Sequence, residues 1–189
     1  MDLGLTFEDI ALVPQYNNIA SRTEPDLSTW LTREVQVRMP LIPANMDTVI
    51  GVELGKIIIA NGGIPILHRF ADLDTQVSWI RELKREVFIS SGLNHWEQLC
   101  KLLEEAPVGV VIDVAHGHSQ MMMNTIGKIK KNFPRTQVIA GNVCTGVAYH
   151  DLVTAGADAV KVGIGAGACC TTRIVTGFGV PQFTAIQDC

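Results

Sequence analysis

Apolar residues along this chain come in short unbroken runs. The runs are Leu41–Ala44, Gly63–Leu67, Val87–Ser90, Gly109–Asp113, Gln137–Gly141 and Ala159–Gly163, and their starts lie 22 to 28 residues apart. Short runs that are apolar throughout suit strands covered on both faces, as in a parallel sheet. Between them apolar residues recur at helical spacing: Trp79, Ile80 and Leu83 within 73–83; Trp96, Leu99, Leu102 and Leu103 within 95–105; Met122, Ile126 and Ile129 within 120–131. Spacings of three, four and seven put each set on one helix face. The pattern predicts an α/β strand–helix repeat, either a doubly wound sheet or a (β/α)8 TIM barrel. Six strand runs are counted, and 189 residues fall short of the roughly 250 typical of a closed barrel. The expectation is a piece of a barrel, about the first six βα units, forming one domain over 1–189 that is incomplete on its carboxyl side. Ahead of the repeat, residues 15–34 are polar and irregular, an arm laid over one end. Val35–Met39 alternates as a short outer strand would.

Composition narrows the function classes. With 47% hydrophobic and 18% charged residues, the chain can bury a core. A net charge of −4 supplies no basic footprint, which argues against a nucleic-acid partner. No apolar run reaches membrane-spanning length, so no membrane partner is expected. Met1–Gly4 carries no basic n-region, so no secretory signal is expected. Cys100, Cys144, Cys169, Cys170 and Cys189 are odd in number and form no CxxC, which reads as free thiols in a reducing cytoplasm.

In parallel α/β folds ligands bind at the carboxyl ends of strands. There this sequence places Asn45–Thr48, His68–Arg69, Ser90–Gly92, Asp113 with His116–Ser119, Gly141–Asn142 and, after the last run, a glycine loop. Each member has an ordinary alternative: Ser119 and Asp47 as helix caps, His116 and His118 in loop hydrogen bonding instead of as a metal pair. Their convergence carries the argument. The glycine loop, Val162–Arg173, has glycines at 163, 165 and 167 and then Cys169-Cys170-Thr171-Thr172-Arg173. Missing Cβ atoms let a ligand approach the backbone, and a thiol among backbone dipoles and a cation makes a nucleophile. A glycine-rich turn with buried structural cysteines is the alternative.

Taken in order, Leu5–Asp9, Asn45–Val49, Ile112–Ser119, Ala140–Val143, Gly156–Gly165, Cys170–Arg173 and Gly179–Gln182 resemble the IMP dehydrogenase / GMP reductase family over almost the whole chain. The resemblance implies a (β/α)8 barrel, usually a homotetramer, acting on a purine nucleoside monophosphate. It implies that Cys170 attacks C2 of the purine. In the dehydrogenase, hydride then leaves for NAD and water releases XMP. In the reductase, ammonia leaves GMP and NADPH (the NADP-linked cofactor) supplies hydride to give IMP. It further implies Thr172 in proton handling, Met46 under the base, Asn142 and Lys161 lining the nucleotide pocket with Gly167 and Ala168, and Asp113 on the nicotinamide-side ribose. Carbonyls of Gly165, Gly167 and Cys170 would bind potassium. Cys169 would be a packing residue.

Two departures stand out. The family usually has proline and serine where Ala166 and Ala168 stand, and that serine contacts the substrate phosphate. Its loss removes a charge-assisted hydrogen bond worth about 1.5–3 kcal/mol. The family's mobile flap and its water- or ammonia-handling residues lie beyond the equivalent of residue 189, so the chain alone is not expected to turn over. Leu67–Phe70 passes directly into a helix, with no room for the CBS pair of most dehydrogenases, which favours a reductase, as does Asn45–Val49. Leu12–Pro14, Thr171–Val175 and Gly179–Ile186 resemble dehydrogenases, and the residues nearest the cysteine place the expectation there. A non-catalytic nucleotide-binding relative is the reading from another class.

Overall fold

The computed structural model describes residues 4–189. Met1–Leu3, on which the reading of the leader partly rests, lie outside the described residues. The regular elements are β1 (Thr29–Trp30), β2 (Gln36–Val37), α1 (Val52–Ala60), α2 (Leu73–Glu82), β3 (Phe88–Ser91), α3 (Trp96–Glu104), β4 (Gly109–Asp113), α4 (Gln120–Asn132), β5 (Gln137–Val143), α5 (Gly146–Thr154), β6 (Ala159–Val162), α6 (Thr171–Thr176) and α7 (Gln182–Asp188). Strands β3, β4, β5 and β6 form one parallel sheet in chain order. The architecture is mixed α/β around this four-stranded sheet.

Alternation along the strands explains why the runs are apolar throughout. Val87, Ile89, Val110, Ile112, Val138 and Ala140 face the helices and join Leu99, Ile126 and Leu152 in the larger core. Phe88, Val111 and Ile139 face the other way, where Ile64, Ile66 and Val37 cover them in a second cluster. Both faces are buried, so neither tolerates a polar alternate.

Two of the six expected strands are corrected. Leu41–Ala44 forms no strand and Leu41 is 61% exposed. Pro43 deprives the stretch of a backbone donor, and Pro40 does the same for the residue that leads into it. Gly63–Leu67 lies parallel beside β3 but makes a single bridge, Ile66 to Phe88. Phe88 donates to Pro65 O and Leu67 donates to Phe88 O, each at 2.9 Å. Pro65 has no N–H with which to extend the ladder.

The three expected helices are present. Side chains of Asp72, Ser119 and Thr145 accept from the backbone N–H groups of Thr75, Met122 and Ala148, capping α2, α4 and α5. Ser119 is therefore a cap. Asp47 is not, since α1 begins after Gly51. The arm stays irregular through residue 28 and ends in the antiparallel β1–β2 hairpin. Thr32 donates to Gln137 Oε1 (2.7 Å) and Gln137 Nε2 donates to Glu34 (2.9 Å), pinning the hairpin to the amino end of β5. The carboxyl end is left open. No described helix is long and apolar enough to cross a membrane.

Candidate active site

At the carboxyl edge of the sheet every strand contributes polar residues: Ser90 and Ser91 from β3, Asp113 from β4, Asn142 from β5, Lys161 from β6. Parallel strands in register bring these ends together, Asp113 opposite Gly141 and Gly141 opposite Lys161. Lys161 Nζ lies 3.0 Å from Asp113 Oδ1, a half-buried ion pair. Asn45 joins both ions: its Oδ1 accepts from Lys161 (3.1 Å) and its Nδ2 donates to Asp113 Oδ2 (3.0 Å) and to Ser90 Oγ (3.0 Å). Asn45, Asp113 and Lys161 line a cavity of about 520 Å³ together with Met46, Asp47, Arg69, Phe70 and Asn142. Its size suits a nucleotide-sized ligand.

Asn142 connects the cavity to the glycine loop. Its Nδ2 donates to Gly163 O at 2.8 Å, while its Oδ1 is buried without a hydrogen-bond partner. A buried acceptor left open is costly, so a ligand donor is the natural partner for it. Gln182 at the start of α7 donates to Val162 O (3.0 Å) and buttresses the loop from behind. Gly165 has φ +66°, and a Cβ there would stand 2.5 Å from Phe178 O, so both the backbone angle and the close approach call for glycine.

Cys170 caps α6. Its thiol is drawn below the ordinary thiol range, first by the backbone N–H of Arg173, then by the N–H and hydroxyl of Thr172 and the N–H of Gly165, with desolvation opposing them. The thiols of Cys100, Cys144 and Cys189 are pushed up by burial. The sign is clear: a lowered thiol is thiolate at lower pH. The pH midpoint of Cys170 alkylation by iodoacetamide should therefore lie below that of an ordinary thiol and below those of Cys100, Cys144 and Cys189. Peptide mapping across a pH series checks this. Cys170 reacting last would contradict the lowered thiol.

The expected residues thus fall into two groups. Met46, Asp113, Asn142 and Lys161 line one cavity. Gly165, Gly167, Ala168, Cys170 and Thr172 belong to the loop and first turn after β6, outside that cavity's lining, and Gly167 and Ala168 are exposed. Asn45, Ser90 and Arg69 are site residues to which sequence reasoning gave no role, although all three end apolar runs. Of the two histidines, His118 bonds Asp151 on α5 at 2.8 Å. Among the described residues no group of three His, Cys, Asp or Glu side chains stands ready for a metal.

Comparison with known proteins identifies the family. The family model for the IMP dehydrogenase / GMP reductase domain matches residues 4–189. A GMP reductase of Helicobacter pylori is 39% identical over 192 residues, which cover 97% of this chain and 58% of that protein. A GMP reductase of Streptococcus pyogenes serotype M3 is 40% identical over 190 residues, covering 97% and 58%. An inosine-5'-monophosphate dehydrogenase of Cryptosporidium parvum is 38% identical over 233 residues, covering 98% and 58%. The chain therefore spans 58% of the length of each of these relatives. It belongs to the IMP dehydrogenase / GMP reductase family.

Proposed function

We propose that this chain carries the nucleophile and part of the ligand site of an oxidoreductase acting on a purine nucleoside monophosphate. The observation that carries the reading is the place of Cys170, at the start of α6 on a loop tied through Gly163 and Asn142 to the cavity of Asp113 and Lys161, in a setting that draws its thiol below the ordinary range. A thiolate is both a strong nucleophile at neutral pH and a competent leaving group, as addition to and departure from a purine C2 require. Thr172, two residues on and in the first turn of α6, is the hydroxyl we assign to passing a proton as the sulfur arrives or leaves.

In the reductive direction Cys170 Sγ bonds to C2 of GMP, the C2–amino bond breaks and ammonia departs with a proton. Hydride then reaches C2, the carbon–sulfur bond breaks, and IMP is released with the thiolate restored. In the oxidative direction sulfur adds to C2 of IMP, C2 loses hydride, and water displaces the sulfur to give XMP. A bound nicotinamide cofactor supplies or accepts that hydride: NADPH in the first case, NAD in the second. Asp113 fits its ribose, being a carboxylate fixed by Lys161 and Asn45 with lone pairs still open to the cavity.

We favour the reductive direction. The two GMP reductases cover 97% of this chain in 190 and 192 aligned residues, whereas the dehydrogenase needs 233. The chain thus follows the reductases without a long insertion. The dehydrogenase reading rests on the sequence immediately around Cys170. With either direction we take the barrel form, (β/α)8, and a cytoplasmic homotetramer as part of the proposal, resting on the family resemblance. A potassium ion suits the carbonyls of Gly165, Gly167 and Cys170 as hard oxygen donors. Gly167 O and Cys170 O each accept one hydrogen bond, from Cys170 N (3.0 Å) and Ile174 N (3.1 Å), and keep a second lone pair for the ion.

Absorbance at 340 nm with the full-length protein tests the reading. A fall with GMP and NADPH supports the reductase, and a rise with IMP and NAD supports the dehydrogenase. Silence in both with nucleotide bound supports the non-catalytic relative. A second prediction concerns the phosphate. Ala168→Ser restores a hydroxyl beside the expected phosphate position and should tighten nucleotide binding about tenfold or more, the equivalent of a hydrogen bond to a charged group. Unchanged affinity by calorimetry would move the phosphate elsewhere.

A further inference from the structure

Asn45 is in none of the roles so far assigned. It sits outside the sheet, in the irregular stretch after Pro43, yet is only 8% exposed. One amide reaches three strands: Ser90 on β3, Asp113 on β4 and Lys161 on β6, at 3.0, 3.0 and 3.1 Å. Charge dictates its orientation. A flipped amide would set its NH2 against the Lys161 ammonium and its carbonyl against the Asp113 carboxylate. Lys161 spends two of its three N–H donors within the network, on Asn45 and on Asp113. Each Asp113 oxygen accepts one bond there. What remains, one ammonium N–H and the free carboxylate lone pairs, is available to a ligand in the cavity.

We propose that Asn45 is a positioning residue for the nucleotide reaction, its amide fixing the separation and aim of Lys161 and Asp113. The proposal rests on the function reading above. A neutral amide can bond both ions at once without altering the charge balance, which a carboxylate could not. The other charged groups facing the cavity are Asp47, from the same stretch, and Arg69, from beyond the Gly63–Leu67 edge. The Asn45 side chain bonds neither of them, so its influence runs through Lys161, Asp113 and Ser90.

The test uses the full-length protein with Asn45→Ala and Asn45→Asp, each followed by kcat/KM, by the affinity for GMP, IMP, NADPH and NAD across pH, and by melting temperature. Asn45→Ala should lower kcat/KM about 10- to 100-fold, mainly in kcat, as small misplacements of reacting groups do. Asn45→Asp sets two carboxylates against one ammonium, and such a pair keeps a proton to higher pH. The acid limb of binding and of kcat/KM should therefore move up by about one pH unit or more. A merely structural role would change the melting temperature and leave the limb in place. Should either variant fail to fold, Asn45→Gln keeps the amide and displaces it by one methylene. It should lose at least about tenfold in kcat/KM at a parental melting temperature. Folded variants with kcat/KM within about twofold of the parent and an unmoved limb would overturn the proposal. A parent that binds nucleotide or cofactor without turnover, with a limb that Asn45→Asp still shifts, would refute the function reading and leave the role of Asn45 standing. A parent that binds none of the four ligands would refute both.

Discussion

Replacing Cys170 by alanine should lower kcat by at least ~10⁴-fold while nucleotide affinity stays within about threefold of the parent. The split follows from the geometry. The cavity walls that hold a ligand come from residues 44–47, 69–70, 113–115, 142 and 161, and Cys170 is not among them. Removing its sulfur leaves Lys161, Asp113 and the open Asn142 acceptor in place. It does remove the atom that bonds to C2 in the proposed reaction. In the parent, the Arg173 and Thr172 N–H groups and the Thr172 hydroxyl draw the thiol below the ordinary thiol range, which raises the share of the reactive thiolate at any given pH. Serine at this position would meet the same donors but would stay protonated, and should fail as alanine does. The measurement is single-turnover kinetics beside calorimetric titration on the same preparations. Turnover of the alanine variant within tenfold of the parent would remove Cys170 from the chemistry.

The second large effect lies beneath the site. Gly141→Ala should destabilise the protein by about 3 kcal/mol, since overpacking a tight core commonly costs this much. That corresponds to a fall of roughly 10 °C in melting temperature for a chain of this size. A Cβ at Gly141 would stand 2.6 Å from Lys161 Cβ and 2.7 Å from Lys161 O. These belong to the paired strand β6, directly opposite in the register, so no flexible side-chain end can yield. The strands must part, and Lys161 and Asn142 move with them. Nucleotide binding should weaken together with stability. Gly127→Ala is the control: a Cβ in this α4 position meets nothing within 4 Å, and alanine favours the helix by up to about 1 kcal/mol. Equal melting temperatures for the two variants would show that β5 and β6 do not approach this closely.

Much of the fold was legible because the dominant force leaves a periodic trace. The runs at Val87, Gly109, Gln137 and Ala159 are strands of one parallel sheet, and the faces built on Leu99, Ile126 and Ile80 are helices packed on it. Legibility failed at Leu41–Ala44 and Gly63–Leu67. Hydrophobicity marks a residue for burial, whereas a ladder also needs backbone donors, and Pro40, Pro43 and Pro65 withhold them. α1, α5, α6 and α7 lie outside the three helical patterns. In α1 Ile57, Ile58 and Ile59 run consecutively, and α5 opens on Gly146 behind its Thr145 cap, so neither shows a clear one-sided periodicity.

For the site, the sequence alone singled out a candidate nucleophile and its setting: a cysteine after alternating glycines at the end of an apolar strand, in an order of motifs specific enough to indicate the family. It determined that polar residues would gather at the carboxyl ends of the strands, because a fully buried strand can carry them only where it leaves the core. Which of those residues touch was decided by the tertiary structure. Lys161 and Asn45 are 116 positions apart, and Lys161 and Asp113 are 48 apart. Each is unremarkable in its own neighbourhood. Only parallel register, which sets Gly141 between Asp113 and Lys161, brings ammonium and carboxylate within 3.0 Å and makes the small, buried Asn45 amide the group that joins them. Charge pairing depends on distance in space, and no local pattern along a chain encodes that distance.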